Sequence, residues 1–190
     1  MFGCPPRPAA ARRRRPSYLA VPGAVCAQEI SPIRMKLKVG DKAPLFTLYS
    51  DEQQPVSLAD YRGRNLVLLF FPLAFTGVCT TEMCTMRDSL AAYNELDADV
   101  VAISVDSPFT LARFKAAERL NFPLLSDFNK EVSRQYGALY ETFAFGMEGV
   151  SKRAAFVLDT EGVIRYAEVL ASAGDEPDYS SIRETLARPA

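Results

Sequence analysis

Four cysteines and no histidine define what this chain can do as a catalyst. The absence of histidine excludes Ser–His and Cys–His nucleophile pairs, imidazole metal ligands and imidazole proton relays. Chemistry must therefore run on cysteine, carboxylates, lysine or arginine, hydroxyls or backbone amides. The informative stretch is Phe70-Phe71-Pro72-Leu73-Ala74-Phe75-Thr76-Gly77-Val78-Cys79-Thr80-Thr81-Glu82-Met83-Cys84. An apolar run ends at Pro72, and Cys79 arrives where a helical pattern begins. The first turn of a helix offers unpaired N–H groups and the positive end of the macrodipole, surroundings that favour the thiolate, the nucleophilic form of cysteine. Thr76 precedes the sulfur by one turn, where its hydroxyl can curl back to donate to the sulfur or to an oxygen bound beside it. One cysteine pair without histidine or a second pair is no zinc ligand set, and no cofactor is expected. Cys4 and Cys26 lie far from this stretch and read as incidental, and Met83 and Met86 read as core filling.

The elements that would position these groups follow from the apolar pattern. Leu45–Leu48 and Val56–Leu58 read as two short strands around the polar run 50–54, a hairpin. Leu66–Phe71 and Val100–Val105 are continuous apolar runs, as expected of central strands covered on both faces. A helix is predicted over 80–94, with Met83, Met86, Leu90 and Tyr93 on one stripe. Ser107-Pro108 opens a second helix, running to about Glu118. Leu124-Leu125 is a short strand, and 129–136 a short helix ended by Gly137. Residues 155–158 and 163–169 flank Asp159-Thr160-Glu161-Gly162 as a second hairpin, and 179–187 is a closing helix. Strands alternating with helices, then a late hairpin, predict a three-layer α/β/α sandwich around a mixed sheet, with right-handed crossovers between its parallel strands.

The 190 residues carry a net charge of −1, which gives no pull toward nucleic acid or an anionic membrane. The charge is unevenly spread: residues 1–34 hold six arginines and one acid, Glu29, and the remainder carries a net −6. Residues 1–34 are rich in Pro, Ala and Arg without periodicity and read as a disordered basic tail. Three readings of it stand open. It is a targeting segment with a cleavage-like Val25-Cys26-Ala27, or a nucleic-acid arm, or the product of a start placed ahead of the true one at Met35. With residues 35–190 as the domain, the expected location is the cytoplasm; the alternative is export, if residues 1–27 act as a signal. No apolar run reaches the roughly 18–20 residues that span a bilayer.

Pro72, Thr76 and Cys79 fill the pattern Pro-x-x-x-Thr-x-x-Cys, and Arg153 stands just before the strand-like Ala154–Leu158. In these residues the chain resembles the peroxiredoxins of the AhpC/TSA family, over residues 36 to about 187. The wording around Cys79 looks most like the AhpE subgroup, and the Cys-x4-Cys spacing like the bacterioferritin-comigratory (PrxQ) subgroup. The resemblance implies a thioredoxin-like fold and a thiol peroxidase acting on hydrogen peroxide and organic hydroperoxides. It implies that the Cys79 thiolate attacks a peroxide oxygen while Thr76, the Cys79 N–H and Arg153 hold both oxygens. Pro72 would shield the sulfur, and Glu82 would anchor an arginine. It implies too that Cys84 resolves the sulfenic acid as a Cys79–Cys84 disulfide, reduced by thioredoxin or a similar dithiol, and that a homodimer is possible. In a regular helix residues five apart are separated by about 7.5 Å of rise, beyond the Cα reach of a disulfide at roughly 7 Å. Such a bridge therefore needs the first turn to unwind. Three other readings remain: a one-cysteine peroxidase served by an external thiol, with Cys84 packed on the helix face; a thioredoxin-like thiol–disulfide oxidoreductase, which Cys-x4-Cys in place of Cys-x-x-Cys argues against; and a peroxide-sensing relay.

Overall fold

The computed structural model describes residues 37–188; the basic tail 1–34 lies outside them. Seven strands form one mixed sheet: β1 (Thr47–Ser50), β2 (Pro55–Ser57), β3 (Asn65–Phe70), β4 (Ala98–Ser104), β5 (Leu124–Ser126), β6 (Ala154–Leu158) and β7 (Ile164–Val169). Their order across the sheet is β2-β1-β5-β4-β3-β6-β7. β3, β4 and β5 run parallel to one another, whereas β1 pairs antiparallel with β5, and β6 pairs antiparallel with both β3 and β7. The helices are α1 (Gly77–Asn94), α2 (Pro108–Glu118), α3 (Glu131–Gln135) and α4 (Tyr179–Ala187).

β3 is apolar at every position after Asn65 because both of its faces are covered. Val67, Leu69 and Phe71 join Met83, Met86 and Tyr93 of α1, Leu111 and Phe114 of α2, and Ile182 and Leu186 of α4 in one core. Leu66, Leu68 and Phe70 face the other way, onto Phe46, Leu58, Phe156, and Val132 and Tyr136 of the α3 region. Three helices thus cover one face. The other is covered by α3, a single 3₁₀ turn (Leu58–Tyr61) and the segment before β1. An aromatic group of Phe70, Tyr136 and Phe156, with centroids 5.2–5.9 Å apart, fills the second core, and the Tyr136 hydroxyl donates to the Pro44 carbonyl at 2.8 Å.

The sandwich and the mixed sheet agree with the sequence reading, and several boundaries move: β4 begins two residues earlier than expected and α3 two residues later. β1 begins two residues later than expected. Leu58 belongs to the 3₁₀ turn, whose start Ser57 caps by accepting from the Ala59 N–H. α1 begins at Gly77, three residues before the expected start. Gly77 is a poor helix former, so propensity alone concealed that first turn. α2 and α4 begin and end where their caps put them: Ser107 accepts from the Thr110 N–H, and Asp178 from Ser180 and Ser181. Among the described residues no helix is long and apolar enough to cross a membrane.

Candidate active site

The loop between β3 and α1 is shaped by what its backbone can and cannot do. The Phe71 N–H still donates across to Ile103 at 3.0 Å; the next residue, Pro72, has no N–H, and the ladder ends there. Pro72 is buried. The Ala74 N–H then donates to the Asp106 carboxylate at 2.8 Å. Asp106, just past the end of β4, is itself fixed by the Ser104 hydroxyl at 2.9 Å and by Ser126, whose hydroxyl donates to the Asp106 carbonyl at 2.6 Å. Phe75 takes a left-handed backbone (φ 63°), an uncommon conformation for a bulky residue, and its ring packs edge-on against Phe114 at 5.0 Å. Thr76 stands at the N-cap of α1 without a capping side-chain bond. Its hydroxyl donates to the Leu73 carbonyl at 2.9 Å rather than to the sulfur. The first helical hydrogen bond runs from Thr80 N–H to Thr76 C=O, leaving the N–H groups of Gly77, Val78 and Cys79 outside the helix ladder.

Cys79 is the third residue of α1 and only 1% exposed. The helix buries Cys79, Glu82, Met83, Met86 and Tyr93, so the thiol and the Glu82 carboxyl, one turn apart, point toward the sheet. The residue that meets them comes from 74 positions downstream. In the antiparallel pairing of β3 with β6, Phe70 lies opposite Ala154, so Arg153 is level with Phe71 at the mouth of the loop. Alternation along β6 places Ala155 and Val157 in the core under α1; Arg153 shares their side of the strand. Its guanidinium is fully buried. Nη2 donates to Cys79 Sγ at 3.4 Å and to the Ala173 carbonyl at 2.8 Å, and Nη1 pairs with Glu82 Oε2. Glu82 Oε1 and Arg153 Nε are buried without a protein partner. Burial pushes the Glu82 carboxyl up, to about 8, against the downward pull of Arg153. The physical cause is loss of water around the carboxyl, which the single guanidinium, shared with a sulfur, does not offset.

Cys84 lies one turn and a half further along, partly buried and on a different side of α1. Its Sγ is 3.8 Å from Glu118 Oε2 at the end of α2. Burial pushes the Cys84 thiol up; Arg87 opposes that, and Glu118 and Asp88 reinforce it. Arg87 is occupied elsewhere, donating to Asp88 at 2.8 Å and to the Glu118 carbonyl at 2.6 Å. Both cysteines are free thiols.

The structure brings together Cys79, Glu82 and Arg153, sets Pro72 and Thr76 in the loop that leads to them, and holds Cys84 apart, on α1 against Glu118 of α2. Asp106, Glu118 and the Ala173 carbonyl were not singled out from the sequence. Ser104-Val105-Asp106 directly after a buried strand was a usable signal for the first, and a backbone carbonyl has none. A cavity of about 280 Å³ lined by Lys42, Leu58, Arg62, Leu66 and Asp159 shares no residue with the Cys79 cluster. Among the described residues, no group of three or more cysteine, aspartate or glutamate side chains could hold a metal ion.

Known proteins share this arrangement of chain and sheet. The family model described as AhpC/TSA family matches residues 39–167. Alkyl hydroperoxide reductase E of Mycobacterium tuberculosis is 43% identical over 136 residues, covering 70% of this chain and 86% of its own. The crystal structure of peroxidoxin BcpB from Mycobacterium tuberculosis superposes with a TM-score of 0.70 at 30% identity, over 79% of this chain and 96% of that one. A peroxiredoxin-like protein from Aquifex aeolicus gives 0.72 at 28% identity, over 80% of this chain and 86% of its own.

Proposed function

The chain belongs to the AhpC/TSA family of peroxiredoxins, and on that premise we propose that it is a thiol-dependent peroxidase whose nucleophile is Cys79. The observation that carries the proposal is the buried guanidinium of Arg153, 3.4 Å from Cys79 Sγ and locked by Glu82 and Ala173. That sets a permanent cation within hydrogen-bond reach of the sulfur, where charge changes hands during the reaction. The thiolate attacks one oxygen of hydrogen peroxide or an organic hydroperoxide, the O–O bond breaks, and water or an alcohol leaves after taking up a proton. Charge moves from sulfur to oxygen. Arg153 and the Cys79 N–H are the donors aimed at it, and the Thr76 hydroxyl joins them by rotating away from Leu73. Pro72 closes the sulfur off from water. Glu82 positions Arg153. The sulfenic acid on Cys79 is resolved by Cys84 as a disulfide once the first turns of α1 unwind, and a dithiol such as thioredoxin reduces it. A reducing cytoplasm suits this cycle, with residues 35–190 as the working domain.

A one-cysteine cycle, with an external thiol reducing the sulfenic acid, is the second reading; the intact α1 and the placement of Cys84 on Glu118 favour it. One measurement separates the two. Tryptic peptide 65–87 contains Cys79 and Cys84 and no other cysteine, so the full chain serves. After reduction and one equivalent of hydrogen peroxide, a loss of about 2 Da in that peptide marks the disulfide, and a gain of about 16 Da marks the sulfenic acid. Either product should vanish in Cys79→Ser. A wild-type peptide of unchanged mass would refute the peroxidase reading.

A further inference from the structure

Disulfide closure needs two things of Cys84: release from its place on the helix, and loss of its proton. One neighbouring group bears on both, and burial adds to the second. The carboxylate that meets Cys84 Sγ at 3.8 Å belongs to Glu118, the last residue of α2. That end of α2 is tied to α1 by two more bonds, Arg87 Nη1 to the Glu118 carbonyl at 2.6 Å and Asn121 Nδ2 to the Arg87 carbonyl at 3.2 Å. The Glu118 backbone is thus anchored against α1, which sets its carboxylate within reach of the thiol.

We propose that Glu118 is a positioning residue for the resolving step: by accepting the Cys84 S–H it keeps Cys84 docked against α2, and so sets how fast the Cys79 sulfenic acid closes to a disulfide. This rests on the reading of Cys84 as the resolving cysteine. In the closing step the Cys84 thiolate attacks the Cys79 sulfur; the S–S bond forms as the S–O bond breaks. The leaving hydroxide takes up the proton that Cys84 gave up, giving water. Cys84 sulfur is oxidised and the sulfenic sulfur reduced, so no further reagent is needed.

Three charged groups face the Cys84 thiol from the helices packed around it. Arg87 and Asp88 on α1 largely satisfy each other at 2.8 Å, which leaves Glu118 on α2 as the charge in direct contact. A thiolate formed in place would sit against that carboxylate, and like charges disfavour it. Closure thus begins when α1 frays and carries Cys84 away from Glu118. The lifetime of the sulfenic acid, and with it the exposure of Cys79 to a second peroxide and irreversible oxidation, depends on a residue on another helix.

The test uses the full chain and its Glu118→Gln and Glu118→Ala variants. Each is reduced, mixed with one equivalent of hydrogen peroxide, trapped with a maleimide at set times across pH 5.5 to 9, and read as disulfide or sulfenic acid in peptide 65–87. Both variants should form the sulfenic acid at the wild-type rate. They should close the disulfide several-fold faster at neutral pH, with the pH profile of closure moved to lower pH, and accumulate less sulfinic acid under excess peroxide. Loss of packing alone would not move that profile. Unchanged profiles in both variants would overturn the proposal, as would slower closure, which would make Glu118 a proton acceptor. A sulfenic acid that persists in the wild type would remove the resolving role of Cys84 itself, and the wild-type trace alone distinguishes that failure from the others.

Discussion

At the scale of single residues, Arg153 serves three acceptors at once: a sulfur, a carboxylate and a carbonyl. Only a planar fork of donors can do so, and a lysine ammonium brings charge without the fork. Arg153→Lys should therefore lower the second-order rate constant for peroxide by about 10²–10³, measured by competition against a haem peroxidase. Arg153→Met leaves Glu82 buried without a partner. With that carboxyl raised to about 8, what is lost at neutral pH is a buried hydrogen-bond partner, about 1–3 kcal/mol, readable as a lower urea midpoint. Glu82→Gln in the same chain should recover much of that stability and none of the activity. Glu82 also makes stability pH-dependent. Burial raises its carboxyl in the folded state to about 8 from an ordinary value of 4.5, so the folded chain holds the proton more tightly. The stabilisation is fully present below about 4.5 and is lost as pH rises through about 8. Urea melts of Glu82→Gln should show a flatter dependence across that window than the wild type.

At the scale of elements, the loop that delivers the nucleophile depends on a neighbouring strand. Asp106 holds Ala74 from the end of β4, and Asp106→Ala should leave the fold intact while slowing sulfenic acid formation by about 10- to 100-fold, because small displacements of reacting groups cost rate steeply. Rapid-quench mass analysis of peptide 65–87 checks it. The sequence marks Asp106 at the end of a buried strand, but its bond to Ala74 of another loop was not legible there. The strands and caps were: continuous apolarity marked β3 and β4, and Ser107-Pro108 marked the start of α2. Cys79 at a helix start was legible as well, since Pro72 stops a strand and the stripe from Met83 continues a helix. The first turn of α1 was hidden by Gly77, and the direction of the Thr76 hydroxyl by a competing local acceptor, the Leu73 carbonyl. Glu118 could not be read at all, because its meaning comes from two helices packing side by side.

At the scale of the whole molecule, two cores on opposite faces of one sheet keep the strand ends in register, and one buried acid ties the N-terminal hairpin to that assembly. Asp51 accepts from the Leu124 N–H at 2.9 Å and pairs with Lys115 of α2 at 2.9 Å. Asp51→Ala leaves a buried N–H unpaired and should cost about 2 kcal/mol. The urea midpoint should fall while the peroxide rate constant stays the same, since the hairpin touches none of the reacting groups. The pairing of β3 with β6 sets a further condition, on the order in which the chain acquires its properties during synthesis. Cys79 leaves the ribosome well ahead of Arg153, with β4, α2, β5 and α3 between them, and a contact across so long a loop forms late. Until β6 docks beside β3 the nascent Cys79 has no guanidinium next to it, and the cluster is incomplete. A half-made chain thus carries the sulfur without the arginine that the finished fold sets beside it.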